Sequence, residues 1–255
     1  MVKSKKKLQE RYNFMKQKFA VFDIDGTLYR WQLYHDLVQT LALEEVLPET
    51  SFQDLDEQWN RWRGGEIGFD AYENFVVNVM VESLPHIPVA AFEAACDAVI
   101  ERSAHKLHHY SRALLMQLKK QGYTIIAITG SQQELIDRFA LRYSIDIAIG
   151  ALYQRDGDHF TGIISRPTIG QKANILRELV TTHELSYEGS VAIGDSDGDA
   201  AILELVEQPI AFNPSEGLFN TAKENGWPIV IERKNIAYRL ESRGDELVLA
   251  DTIIY

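Results

Sequence analysis

Four short apolar runs rich in β-branched residues punctuate the chain: FAVFDI (19–24), TIIAIT (124–129), VAIG (191–194) and PIAF (209–212), with IDIAIGA (145–151) as a fifth. None alternates apolar with polar positions as a half-exposed strand does. The pattern predicts strands covered on both faces, as in a parallel sheet. Between most of them the period changes to that of a helix. SQQELIDRFALRYS follows the second run, QKANILRELVTTHEL precedes the third and DAAILELVE follows it. This β-α-β alternation predicts an α/β fold with a doubly wound, Rossmann-like parallel sheet.

The interval from Trp31 to Tyr110 lacks strand runs and is dominated by helical periodicity: YHDLVQTLALEEVL, SFQDLDEQWNRWRGG, FDAYENFVVNVMVESL and, after a PHIP break, VAAFEAACDAVIERSAHKL. Residues 1–30 and 111–255 are therefore expected to form the core and 31–110 a helical cap inserted after the first strand. Residues 1–18 read as a basic N-terminal extension. The stretch from Ala151 to Lys172 reads as a β-hairpin turning at Arg155 to Asp158, because Asp-Gly favours a tight reversal.

Composition narrows the partners. With 26 basic and 37 acidic residues the formal net charge is −11, which argues against nucleic acid or an anionic membrane as the main partner. A phosphorylated small molecule stays open, because a local lysine and a divalent cation override a global field. The single cysteine, Cys96, rules out an intramolecular disulfide and a Cys-rich metal site, and is expected as a small buried group on a helix. The N-terminus has no apolar segment after its lysines and does not read as a secretory signal. Its Lys5 to Lys7 run reads either as a solvated extension or as an RNA- or membrane-touching tail, and Met15 is an alternative start. No stretch is long and apolar enough to span a bilayer, and cytoplasmic residence is the default expectation. Oligomeric state is not legible.

The chemistry concentrates at strand ends. In an extended strand residues i and i+2 point the same way, so Asp23 and Asp25 are expected to emerge together at the carboxyl end of the first strand. Ligands of open parallel sheets bind at that edge. Two carboxylates held there repel each other unless a cation lies between them. Gly26 permits the turn that follows, and Thr27 can bond the carboxylates or cap what comes next. A plain Asx-capped turn is the competing reading. Thr129-Gly130-Ser131 ends the second strand and offers a hydroxyl and backbone N–H groups to phosphate oxygens. Alternatively it is a helix N-cap, with Glu134 completing a capping box. The third core strand ends in Asp195, Asp197 and Asp199, three acids in five residues, an arrangement that favours Mg²⁺; an EF-hand lacks its distal glutamate here. Lys172 stands at a helix start, where a lone lysine is usually solvated.

Taken in order, Asp23-x-Asp25-Gly26-Thr27, Thr129-Gly130-Ser131, Lys172 and Gly194-Asp195-Ser196-x-x-Asp199 resemble the four motifs of the haloacid dehalogenase-like superfamily. The resemblance spans Phe19 to about Glu232. The helical insert, the hairpin before the lysine and AFNPSEGLFNTAKENGWPIV are similar to its phosphoserine phosphatase-like branch, subfamily IB. The resemblance implies a Mg²⁺-dependent phosphatase of a small phosphorylated metabolite. Asp23 would be the nucleophile that forms an aspartyl-phosphate and Asp25 the general acid and base. It implies a magnesium site made by Asp23, the Asp25 backbone carbonyl and Asp195, with Asp199 supporting it and orienting Lys172. Thr27, Thr129, Gly130 and Lys172 would steady the phosphate. Asp25 argues against a dehalogenase, which lacks that acid. A phosphotransferase or mutase shares every core residue, and a non-catalytic phospho-ligand binder is the reading from another class.

Two positions depart from the branch. Where a glutamate reads the substrate's ammonium the chain has Gln32, and near the place of an arginine that reads its carboxylate it has Val76. Other polar and aromatic groups of the insert, Trp31, Tyr34, His35, Trp59, Arg61, Trp62 and Arg63, could line a lid. The i, i+3 spacing of Trp59 and Trp62 reads first as a packed helix face. His105, His108 and His109 have helical spacing that could ligate a metal, although no carboxylate lies between them.

Overall fold

The structure, a computed structural model, describes residues 17–48, 50–244 and 246–255. The Lys5 to Lys7 run and Met15 lie outside the described residues. Among the described residues no helix is long and apolar enough to cross a membrane. The chain divides into two compact units. The first takes the chain up to Leu28, His108–Ile128 and Ile169–Tyr255; the second takes Tyr29–Leu107 and Thr129–Thr168.

The first unit is built on a sheet in the order β2-β1-β5-β6-β7-β8-β9. Its strands are β1 (Gln17–Phe22), β2 (Thr124–Gln132, with residues 124–128 in this unit), β5 (Leu185–Gly194), β6 (Gln208–Phe212), β7 (Ile229–Arg233), β8 (Ile236–Arg243) and β9 (Glu246–Ile254). The five from β2 to β7 pair in parallel, and β7-β8-β9 continue antiparallel. Phe19, Ala20, Val21 and Phe22 of β1 are fully buried, as expected for a strand covered on both faces. Burying one such phenylalanine contributes roughly 1.5–3 kcal/mol. β1 lies between β2 and β5, so the strand order reverses beside it, and a crevice opens outside the carboxyl ends of strands at such a switch point.

Helices α5 (His109–Lys120), α7 (Lys172–Thr182) and α9 (Glu216–Asn225) belong to this unit, with a short α8 (Ala200–Leu203) preceded by a 3-10 turn over Asp197–Asp199. The first turn of α5 receives no bond from its own N-cap side chain. Instead the Glu232 carboxylate, on β7, accepts the N–H groups of His109 at 3.1 Å and Tyr110 at 2.8 Å. Burial pushes this carboxyl up, but hydrogen bonds from the His108 ring and those two N–H groups outweigh it and hold it below the usual range. A negative group at a helix N-terminus is also favoured by the helix dipole.

This arrangement corrects the helical spacing read for three histidines. The helix begins at His109; His105 and His108 precede it. His108 Nδ1 is 3.2 Å from Glu232, and His109 stacks on Tyr255 with ring centroids 5.5 Å apart. They share no helix face.

The second unit holds α1 (Leu33–Leu43), α2 (Ser51–Arg63), α3 (Phe69–Ser83), a 3-10 turn (Leu84–His86), α4 (Val89–Ser103), α6 (Gln133–Tyr143) and the antiparallel hairpin β3 (Ile147–Asp156) and β4 (His159–Arg166). Gly157 and Asp158 make the reversal. Cys96 is buried on α4, and burial pushes its thiol up. Arg155 of β3 bonds Glu93 on α4 at 2.9 Å and Glu134 on α6 at 2.7 Å, joining hairpin and helices. Trp59 and Trp62 pack with Trp31, Phe69 and Tyr72 in a ring cluster, with Trp62 stacked on Tyr72 at 11°. Val76 is 1% exposed in α3.

Candidate active site

Asp23 leaves β1 with its N–H bonded to the Ile193 carbonyl of β5 at 3.0 Å, so the parallel pairing runs one residue past the strand. A turn follows, in which the Leu28 N–H reaches the Ile24 carbonyl at 3.0 Å. Gly26 holds φ +85° there, and a Cβ on it would lie 2.1 Å from Asp195 Oδ2. Both the backbone and the close carboxylate therefore demand glycine. Thr27 donates its hydroxyl to Asp195 Oδ1 at 2.7 Å, and Ser111 of α5 donates to the Thr27 carbonyl at 2.7 Å. The turn is thus tied to the second acidic loop and to a helix.

That loop begins where β5 ends. Asp199 is fully buried and works as its hub: Oδ2 accepts the N–H of Asp195 at 3.2 Å, the N–H of Ser196 at 3.0 Å and the Ser196 hydroxyl at 2.8 Å. A Cβ at Gly194 would lie 2.4 Å from that of Asp199, so the close approach needs the glycine. Asp197 faces elsewhere. It is exposed and accepts the Ser215 hydroxyl at 2.6 Å, while the Ser215 N–H bonds the Asp195 carbonyl at 2.8 Å.

Lys172, the first residue of α7, joins the two acidic loops. Its Nζ donates to Asp23 Oδ1 at 2.7 Å and to Asp199 Oδ1 at 2.6 Å, and the lysine is only 8% exposed. Burial alone would lower its affinity for the proton; Asp199 and Asp23 overcome that and raise it, so the ammonium stays charged. One cation does not balance the acids. Burial pushes the Asp23 carboxyl well above the usual range against the pull of Lys172, and Asp199, Asp195 and Asp25 add to the rise. Asp195 is pushed up to about 7 by burial and by Asp199, with the Thr27 bond and Lys172 opposing.

Carboxylate oxygens of Asp23, Asp195 and Asp199 lie within 4.8 Å of one another. The donors are hard oxygens with an excess of negative charge, and no nitrogen or sulfur is among them. Such a set fits a hard divalent cation, and the raised carboxyls are the electrostatic strain that a cation relieves. Asp25 is half-exposed one turn position further on.

Thr129 and Gly130 belong to the second unit. β1 and β2 pair as far as Phe22↔Ala127, and β2 itself continues beyond that pair. Thr129 does not cap a helix. β2 runs on to Gln132, which holds the N-cap position of α6 without a side-chain bond, and Thr129 Oγ1 accepts the Ser131 N–H at 3.1 Å. Gln32 is half-buried at the N-cap position of α1.

Sequence reasoning missed Ser111, Ser215 and Gln132. Ser215 had a signal, since Ser-Glu-Gly opens a helix and its Oγ accepts the Leu218 N–H at 3.3 Å. Ser111 had none. Gln132 is fully buried, and its Nε2 lies 3.2 Å from the Tyr153 hydroxyl.

Comparison with known proteins agrees with this layout. The model of the haloacid dehalogenase-like hydrolase family matches residues 20–204. A phosphoserine phosphatase of Archaeoglobus fulgidus is 28% identical over 210 residues, covering 81% of this chain and 55% of that protein. The chain therefore spans about half the length of that relative. A histidinol-phosphatase of Neisseria meningitidis is 25% identical over 228 residues, covering 84% of this chain and 98% of that protein. Among solved structures, a protein of unknown function from Bordetella pertussis aligns with TM-score 0.69 at 20% identity, covering 86% of this chain and 99% of its own. A phosphoserine phosphatase with a phospho-aspartyl intermediate analogue aligns with TM-score 0.59 at 17% identity, covering 86% and 95%. With motifs, sheet order and family match coinciding from residue 20 onward, this chain belongs to the haloacid dehalogenase-like hydrolases.

Proposed function

We propose that the protein is a phosphatase of a small phosphomonoester that works through an aspartyl-phosphate on Asp23. The observation that carries this reading is the buried ammonium of Lys172 held between Asp23 and Asp199 at the carboxyl ends of β1 and β5. Lys172 pins one oxygen of Asp23 and leaves the other to attack, and a divalent cation beside it would keep the carboxylate ionised against the burial that raises it. An Asp23 oxygen bonds to phosphorus as the bond from phosphorus to the alkoxide breaks, and Asp25 gives its proton to that alkoxide. Asp25 then takes a proton from water as the water oxygen attacks the phosphoryl group, releasing inorganic phosphate and restoring the Asp23 carboxylate. Lys172 offsets the charge gathered in both steps.

Mg²⁺ is the cofactor of this reading, and Asp23, the Asp25 carbonyl and Asp195 would hold it, with Asp199 supporting them. When bound it supplies charge neutralisation for the transferring phosphoryl group. The relatives' names, a phosphoserine phosphatase and a histidinol-phosphatase, support a small phosphomonoester as substrate class. Gln32 carries no charge to pair with an ammonium and Val76 is packed in a helix core, so the reading stops at that class.

The test is phosphate release from a panel of phosphometabolites with Mg²⁺ and with a chelator. Wild type should turn over members of the panel only with the metal, and Asp23→Asn should fall by at least about a thousandfold. Equal rates for the two proteins sink the mechanism, and transfer to added alcohols in place of water would assign a phosphotransferase.

A further inference from the structure

Within the second unit, helices α1 and α2 leave a groove of about 410 Å³ between them. Its walls combine two kinds of group. Trp31, Trp59 and Phe52 contribute aromatic surface, and Asp36, Asp56 and Gln39 contribute side-chain oxygens, with two leucines completing the lining. No lysine or arginine is among the lining residues. Phe52 is 44% exposed, so the apolar wall is open to a ligand.

The carboxylate of Asp36 is the second observation. The residue is 9% exposed, and Oδ2 accepts the Tyr29 hydroxyl at 2.6 Å. Its other carboxylate oxygen has no partner among the described residues, on a residue that lines the groove. A mostly buried carboxylate beside aromatic rings, without a basic partner lining the same space, is a poor site for an anion or a neutral apolar group and a favourable one for a cation. The chain already uses one of these rings that way: the Arg63 guanidinium lies 5.8 Å from the centre of the Trp59 ring. An inorganic metal ion gains little from aromatic walls, whereas an alkylammonium group uses both the rings and the carboxylates.

We propose that the groove between α1 and α2 binds a small organic cation of the alkylammonium class, seated on Trp31 and Trp59 and paired with Asp36 and Asp56. This site rests on the second unit alone and needs no phosphate chemistry. A volume of about 410 Å³ suits a small-molecule ligand.

Titration of the full chain with choline, followed by tryptophan fluorescence, tests it against the neutral isostere in which carbon replaces the quaternary nitrogen. Choline should give a saturable change, with the isostere weaker by at least about tenfold. Asp36→Asn should weaken choline by about tenfold. Because that change also touches the Tyr29 bond, Asp56→Lys serves as the second variant. Asp56 is exposed and, among the described residues, accepts a hydrogen bond only from Asn60 of its own helix, at 3.1 Å, so the fold is retained, and the reversed charge should abolish choline binding. No saturable change with choline, equal binding of choline and isostere, or unaltered binding by Asp56→Lys would each overturn the proposal.

Discussion

At the scale of single residues, Lys172 decides how the acids coexist. Its ammonium is shared between Asp23 and Asp199, and both partners are buried. Lys172→Met keeps the apolar stem and removes the charge, which leaves two carboxylates facing each other without a counter-ion. Breaking a buried pair in this way costs about 3–5 kcal/mol, so the urea midpoint should drop well below that of wild type. An unchanged midpoint would mean that the acids do not depend on the lysine. His35 makes a second, independent case. It is 1% exposed, neither ring nitrogen has a hydrogen-bond partner among the described residues, and burial pushes its pKa down from 6.5 to about 4. A folded-state pKa below the unfolded one means that the unfolded chain takes up the proton first. Stability from this residue is therefore complete above pH 6.5 and is lost as the pH falls toward 4. At about 1.4 kcal/mol per pH unit the loss approaches about 3 kcal/mol. Chemical denaturation from pH 7 to 4 should show that slope in wild type and a shallower one in His35→Phe; parallel curves would contradict it.

At the scale of elements, what could be read depended on whether the determinant was local. β1, β2 and β5 were legible because each contains a continuous apolar run buried on both faces, and acids stood at the ends of β1 and β5 in plain view; β6 was legible from PIAF, of which Ala211 and Phe212 are buried. The hairpin β3-β4 was legible from Asp-Gly. β8 and β9 were not, because IAYRLESR and ELVLADTII mix charged and apolar positions and are only partly buried. Pairing of β8 with β7 and of β9 with β8 makes them strands, and no short window reports that. α5 was obscured by its histidines, whose spacing imitates a helix running through His105. The true start at His109 is set by Glu232, more than a hundred residues away in sequence. Thr129-Gly130-Ser131 looked like a cap for a similar reason, since a strand that continues three residues further than its apolar run leaves the same hydroxyls in sequence.

At the scale of the whole chain, the net charge of −11 and the chemistry of the site are separate matters. The acidic balance bears on which partners approach, whereas the site is a local concentration of carboxylates around one lysine. The sheet order explains why they meet: β1 and β5 are neighbours on either side of a reversal, so residues 23 and 195 arrive together although 172 positions separate them. The family match ends at residue 204, and β7, β8 and β9 lie beyond it. β7 serves the site indirectly, through Glu232 and the start of α5, which carries Ser111 to the turn behind Asp23. The central claim is the covalent one. Its most direct test is to quench wild type and Asp23→Asn in acid during turnover of a phosphomonoester with Mg²⁺, and to locate any phosphoryl group by peptide mass. A phosphoryl group should appear on the wild-type peptide that contains Asp23 and none on the variant. Turnover without that modified peptide, or the same modification elsewhere in both proteins, would contradict it.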